Sequence, residues 1–302
     1  MGLSETTTRP HNRQMVLKAI GFILLSVVFF DLQSVLARFL LDDYSPMELS
    51  AYRNVLGVLP SLVFLLGAGG LQISVASFRV RQWRLALFRG VLVAFAQLLF
   101  YLALPLLPLA TIAALMQTIP MIIVALSWPL LGERAGVWRW SAVLIGFVGA
   151  YFVLQPGAEG FAWTFALPLG AALFYALSSV TLRLFDAAPS NALLYLYSSA
   201  ASAVCAILIA LFTTSFSEIQ NDSDIVLILL MSFAGGSGVL CLMLGYRTVP
   251  PAIVAPFNYF GLLSAFLFGW LIFNEAPFGD LFPGSLFILA GGAVILWRER
   301  GT

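Results

Sequence analysis

From residue 17 almost to its end, the chain is a succession of apolar runs parted by short clusters of Pro, Gly and charge. Each run is close to the ~20 residues that an α-helix needs to cross the hydrocarbon core of a bilayer. A backbone in lipid must satisfy its polar groups internally, so such runs fold as helices. The predicted spans are 17–40, 46–67, 84–104, 109–131, 137–155, 162–185, 190–213, 225–246, 250–273 and 279–297. The expected fold is therefore an all-α integral membrane protein with ten transmembrane helices. Composition removes the soluble alternative: 61% of residues are hydrophobic and 10% charged, against about half and a quarter in soluble domains.

Several function classes drop out at this stage. A net charge of +1 and the lack of a basic run interleaved with aromatics leave no nucleic-acid surface. Cys205 and Cys241 both lie inside apolar runs, where they read as packing residues rather than a disulfide or metal pair. The single histidine, His11, lies in the polar N-terminal segment, so no histidine-based triad or metal cluster can be assembled in the membrane. No enzyme, metal or cofactor is expected. Lys18, the apolar stretch 19–30 and Ser34-Val35-Leu36-Ala37 imitate a cleavable signal, but Asp31 and Gln33 interrupt it. The segment reads as a retained first helix behind a tail over residues 1–16.

Short positively charged loops stay cytoplasmic. All of the 15 Lys and Arg residues except Arg38 and Arg53 fall on the side of the N-terminus. Glu48, Glu159, Glu218, Asp222, Glu275 and Asp280 fall on the other. Both termini are expected in the cytoplasm, as an even number of spans requires. The longest connection, from Gly69 to Trp83, mixes Arg79 and Arg81 with apolar residues; it suits a surface-lying amphipathic segment or a solvated loop equally.

The two halves repeat. An offset of 142 residues lays Leu131-Gly132-Glu133 over Phe273-Asn274-Glu275, Pro108 over Pro250 and Gly149 over Gly291. An offset of 145 lays Ser34-Val35 and Arg38 over Ser179-Val180 and Arg183. The halves are read as 17–155 and 156–302. Five helices is an odd number, so the second copy must sit upside down relative to the first. Inverted repeats can exchange conformations, which makes an outward-open and an inward-open state similar in energy and supplies alternating access.

Ala110-Thr111-Ile112-Ala113-Ala114-Leu115-Met116-Gln117-Thr118-Ile119-Pro120, Gly132-Glu133-Arg134 and the stretch Trp140 to Gly149 resemble the signature of the EamA family of the drug/metabolite transporter superfamily. Asn274-Glu275 to Gly291-Gly292 echoes it, and Tyr52-Arg53-Asn54 resembles that family's second helix. Asn274 and Pro277 depart from the pattern. Within the family the chain resembles most the YddG-type exporters of aromatic amino acids. The resemblance implies a monomeric secondary transporter in a bacterial inner membrane, surrounded by lipid and exporting amino acids or similar amphipathic metabolites. A nucleotide precursor or cofactor as cargo is the alternative within the family; a membrane scaffold or accessory subunit is the alternative outside it. Helices one, three, four, six, eight and nine are then expected to surround a central cavity.

An ionisable residue inside a membrane is a functional candidate by default. Asp31 is near the middle of the first helix, and Arg53 about two turns into the second. They read either as an ion pair, with Arg38 as an alternative partner for Asp31, or as a substrate or proton-coupling site. The expected substrate-binding residues are Gln33, Gln97, Tyr101, Gln117, Tyr175, Asn258 and Tyr259. Gln97 and Tyr101 lie one turn apart, and Met116-Gln117 repeats as Asn258-Tyr259. Pro120 and Pro256 are expected to bend their helices beside these sites. Glu133 and Glu275 read as helix caps, and Gly235-Gly236-Ser237-Gly238 as a close helix contact.

Overall fold

The computed structural model describes residues 13–60, 62, 82–132, 137–154, 163–181, 184–185, 191–248, 255–275, 282–287, 289–290 and 293. Among them every regular element is helical. They are α1 (Arg13–Leu40), α2 (Pro46–Leu56), α3 (Trp83–Ala103), α4 (Leu109–Leu131), α5 (Val137–Leu154), α6 (Ala166–Thr181), α7 (Asn191–Thr213), α8 (Asp222–Thr248) and α9 (Phe260–Phe273). Each begins or continues inside a predicted span. Short 3-10 turns, Trp163–Phe165 and Ala255–Tyr259, lead into α6 and α9. Six helices among the described residues are long and apolar enough to cross a membrane. Most of the expected tenth helix, the 69–81 segment, Glu133, Arg134 and Arg183 lie outside the described residues.

The surface is apolar where a soluble protein would be polar. Leu144, Leu211, Leu263 and Leu271 are each at least 60% exposed, which only a lipid environment tolerates at this density. Small residues fill the seams between helices: Ala37, Ala86, Ala94, Ala96, Ala171, Ala172 and Ala176 are buried. With no hydrophobic drive between helices in lipid, small side chains gain association by letting backbones approach. Gly90 illustrates the closeness, since a Cβ there would collide with the Ser198 carbonyl and the Ala201 Cβ on α7.

Local signals set the helix ends. Ser45 and Glu48 form a reciprocal capping box at the start of α2, with Pro46 in the first turn. Gly132 (φ 69) ends α4 and Asn274 (φ 55) ends α9, both left-handed. Asn is the side-chain-bearing residue best suited to that conformation, so the departure from Gly at 274 preserves the geometry. Inside α4 the helix breaks at Gln117–Thr118, between Leu109–Met116 and Ile119–Leu131. Pro120 explains the break: it lacks an N–H and its ring excludes the carbonyl four residues earlier, at Met116. The irregular turn Ala255–Tyr259, which contains Pro256, directly precedes α9.

The helix contacts fall into pairs. α1 packs on α8, and α6 on α3; α3 packs on α7, and α8 on α2; α4 packs on α6, and α9 on α1. α2 meets α7, and α4 meets α9.

Candidate functional site

The candidate site residues and their partners inside the bundle fall into three groups. The largest group is centred on Arg53 of α2, which is 7% exposed. Its Nε donates to Gln33 Oε1 on α1 at 3.1 Å and its Nη2 to the Gly235 carbonyl on α8 at 3.3 Å. Gly235 makes this possible, because any Cβ there would overlap the Gln33 amide and crowd Arg53 Nε. The Gly235-Gly236-Ser237-Gly238 run is thus a close contact: Gly236 abuts the Gly57 carbonyl of α2 and Gly238 the Phe30 ring of α1.

Tyr101 on α3 and Tyr175 on α6 both lie within the electrostatic reach of the Arg53 guanidinium and of each other. Tyr175 is also within hydrogen-bonding reach of Gln97. Tyr101 is fully buried and Gln97 is 4% exposed. The Tyr101 hydroxyl and Gln97 Oε1 nevertheless have no hydrogen-bond partner in the protein. Buried polar groups are almost always paired, and two orphans one turn apart beside a buried cation are the mark of a ligand site. Gln33, Arg53, Gln97, Tyr101 and Tyr175 therefore form one polar cluster contributed by α1, α2, α3 and α6, with α8 supplying backbone.

The second group links α1, α4 and α9. Asp31 accepts a short hydrogen bond from Ser264 on α9. Gln117, at the break in α4, donates from Nε2 to the Asn258 carbonyl at 3.1 Å. The Gln117 side chain thus meets the backbone of the Asn258-Tyr259 pair. Tyr259 ends the 3-10 turn beside them, and the Pro256 backbone belongs to the same turn.

The third group is Arg38, Glu275 and the first turn of α4. Arg38 Nη2 pairs with Glu275 Oε1 at 2.5 Å, while Glu275 Oε2 accepts the Leu109 N–H at 3.1 Å. Glu275 is thus a helix cap for α4, supplied from a distant part of the chain. The Arg38 guanidinium also lies 4.8 Å over the Phe273 ring.

An ion pair of Asp31 with Arg53 or Arg38 does not form. Asp31 and Gln33 point to opposite faces of α1 because residues two apart on a helix are separated by roughly 200°. Gln33 therefore reaches Arg53 while Asp31 reaches α9. Arg38 shares the Asp31 face but lies about 10 Å farther along the axis, where Glu275 takes it. Among the described residues Arg38 and Glu275 form the one salt bridge. The sequence reading also passed over Ser264, and over Asn54, which accepts from Ser202 of α7 at 2.6 Å. Neither carries a signal a single sequence can show, since serine is common in membrane helices as glue.

Comparison with known proteins agrees with the architecture. Residues 17–155 match the EamA-like transporter family. The chain is 30% identical over 94% of its length to a riboflavin transporter of Rhizobium johnstonii, covering 90% of that protein. It is 24% identical over 93% of its length to an S-adenosylmethionine uptake transporter of Rickettsia bellii, covering 94% of it. A crystal structure of a protein superposes with a TM-score of 0.65 at 19% identity, covering 96% of this chain and 99% of that one, which shows a shared fold. These relatives are named for riboflavin and S-adenosylmethionine, so the narrower likeness to exporters of aromatic amino acids gives way to the family as a whole. With this identity along nearly its full length, the chain belongs to the EamA-like transporter family of the drug/metabolite transporter superfamily and is a multi-pass membrane transporter.

Proposed function

We propose that the protein carries a flat, uncharged heterocyclic metabolite of the riboflavin class across the bacterial inner membrane by alternating access. The observation that carries this reading is the polar cluster of Gln33, Arg53, Gln97, Tyr101 and Tyr175, in which two buried polar atoms, Gln97 Oε1 and the Tyr101 hydroxyl, have no partner in the protein. Its character suits a solute with a polar edge and an apolar face. The 30% identity to a riboflavin transporter supports the same class. An amino acid fits less well. Among the described residues the cluster holds no carboxylate to receive an α-ammonium group, and Arg53 would repel one. The sulfonium and ammonium groups of S-adenosylmethionine meet the same objection. Export as the direction gains no support from relatives whose names include an uptake carrier.

Ten helices in two inverted halves remain the mechanism's frame. Support comes from the reciprocal helix contacts, the two left-handed caps 142 residues apart at Gly132 and Asn274, and the interruptions at equivalent places, within α4 and directly before α9. In this frame α2 with α7 and α4 with α9 straddle the twofold axis, and the chain works as a monomer with both termini cytoplasmic. Asp31, Gln117, Asn258 and Tyr259 form the seam on which the halves rock.

A ligand that binds only the folded state raises the unfolding temperature. Thermal unfolding of the purified protein with riboflavin, S-adenosylmethionine and aromatic amino acids in parallel therefore tests the substrate class. Riboflavin is expected to raise the midpoint by several degrees and the amino acids to leave it unmoved; the reverse order would overturn the reading.

A further inference from the structure

The hydrogen-bonding character of the cluster specifies more than a substrate size. Arg53 has five N–H donors, and the protein takes up Nε with Gln33 and one Nη2 hydrogen with the Gly235 carbonyl. Tyr101 and Tyr175, both neutral, lie within electrostatic reach of the guanidinium. One turn from Tyr101, Gln97 presents an acceptor, Oε1, that is buried and unpartnered. The Tyr101 hydroxyl is likewise buried without a partner and can either donate or accept. A donor-rich cation and an unused neutral acceptor thus belong to one cluster, linked through Tyr175.

Resting on the riboflavin-class reading, we infer that Arg53, Gln97 and Tyr101 recognise a cyclic imide edge, –CO–NH–CO–, on the substrate. The guanidinium and the Tyr101 hydroxyl donate to the two carbonyl oxygens, and Gln97 Oε1 accepts the imide N–H. An imide is flat and uncharged, so it satisfies all three side chains without bringing a second positive charge beside Arg53. A carboxylate would engage Arg53 but leave Gln97 Oε1 facing another acceptor. Leaving a buried polar group unpaired is more costly than the net gain of one hydrogen bond, so the match of donor to acceptor governs selectivity here.

The test compares riboflavin with N3-methylriboflavin, in which a methyl replaces the imide hydrogen, by flavin fluorescence titration of the purified full chain in detergent. The wild type is expected to bind riboflavin at least roughly tenfold more tightly than the methylated compound. In Gln97→Leu the two are expected to bind alike, because the acceptor that reads the N–H has gone. Change on the ligand side needs no variant, and an unfolding midpoint for Gln97→Leu near that of the wild type verifies its fold. Equal wild-type affinity for both flavins would overturn the imide inference alone and leave the riboflavin-class reading standing. No binding of either flavin to folded protein would overturn that reading and the inference together.

Discussion

Asp31 and Gln33 show how much one residue's position on a helix decides. Both were candidates from sequence because polar side chains in an apolar run demand an explanation. Their two-residue spacing assigns them to different neighbours, Ser264 for Asp31 and Arg53 for Gln33. That assignment separates a cluster suited to ligand from a seam between α1 and α9. Asp31→Asn keeps a partner for Ser264 but removes the charge; it is expected to leave the unfolding midpoint nearly unchanged and to lower transport by roughly tenfold or more, and full transport by the variant would remove Asp31 from the mechanism. Glu275→Gln breaks the pair with Arg38, whose side chain is 18% exposed. Leaving a mostly buried guanidinium without its anion is expected to destabilise the protein by about 2 kcal/mol, read as a lower midpoint, whereas an unchanged midpoint would deny that the Arg38–Glu275 link holds α1 to α9.

At the scale of the element, the helices and many of their ends were legible in the sequence. Hydropathy gave approximate bounds for the helices among the described residues, and Pro120 gave the break in α4, because those signals act locally. Glu275 was read as a cap from its carboxylate, yet the helix it caps, α4, begins 166 residues away. A cap supplied across the fold leaves no spacing to recognise. The same limit hid Ser202 behind Asn54 and the Gly235 carbonyl behind Arg53. Glycines sort by environment in a way that can be measured. Gly90→Ala, which drives a methyl into the α7 backbone, is expected to destabilise by about 2 kcal/mol. Gly21, with open space around it, is expected to accept Ala with a change within about 0.5 kcal/mol. Similar midpoints for the two variants would contradict the packing of α3 on α7.

At the scale of the whole molecule, the helix contacts bear on the proposed repeat. Contacts between α1 and α8 have their counterpart between α6 and α3, and those between α4 and α6 theirs between α9 and α1. Under the proposed inverted repeat, a bundle paired this way exchanges the roles of its halves with little change in packing energy, which is what alternating access requires. The Arg53 cluster is built from α1, α2 and α3 together with α6 and α8. In that proposed frame, rocking of the halves opens it first to one face of the membrane and then to the other. The family was legible in the sequence motifs, while the cargo was not. Pro120 and Gly132 act locally on the backbone of α4, whereas Gln33, Arg53, Gln97 and Tyr101, proposed to read the cargo, come from separate parts of the chain and meet only in three dimensions.

Counterflow in proteoliposomes tests the central claim most directly: vesicles loaded with unlabelled riboflavin are placed in dilute radiolabelled riboflavin, and label inside is followed with time. The account predicts a transient, saturable accumulation above the external concentration that is absent from vesicles without protein and strongly reduced by Arg53→Gln. Uptake indistinguishable from that of empty vesicles, with the protein folded and inserted, would contradict it.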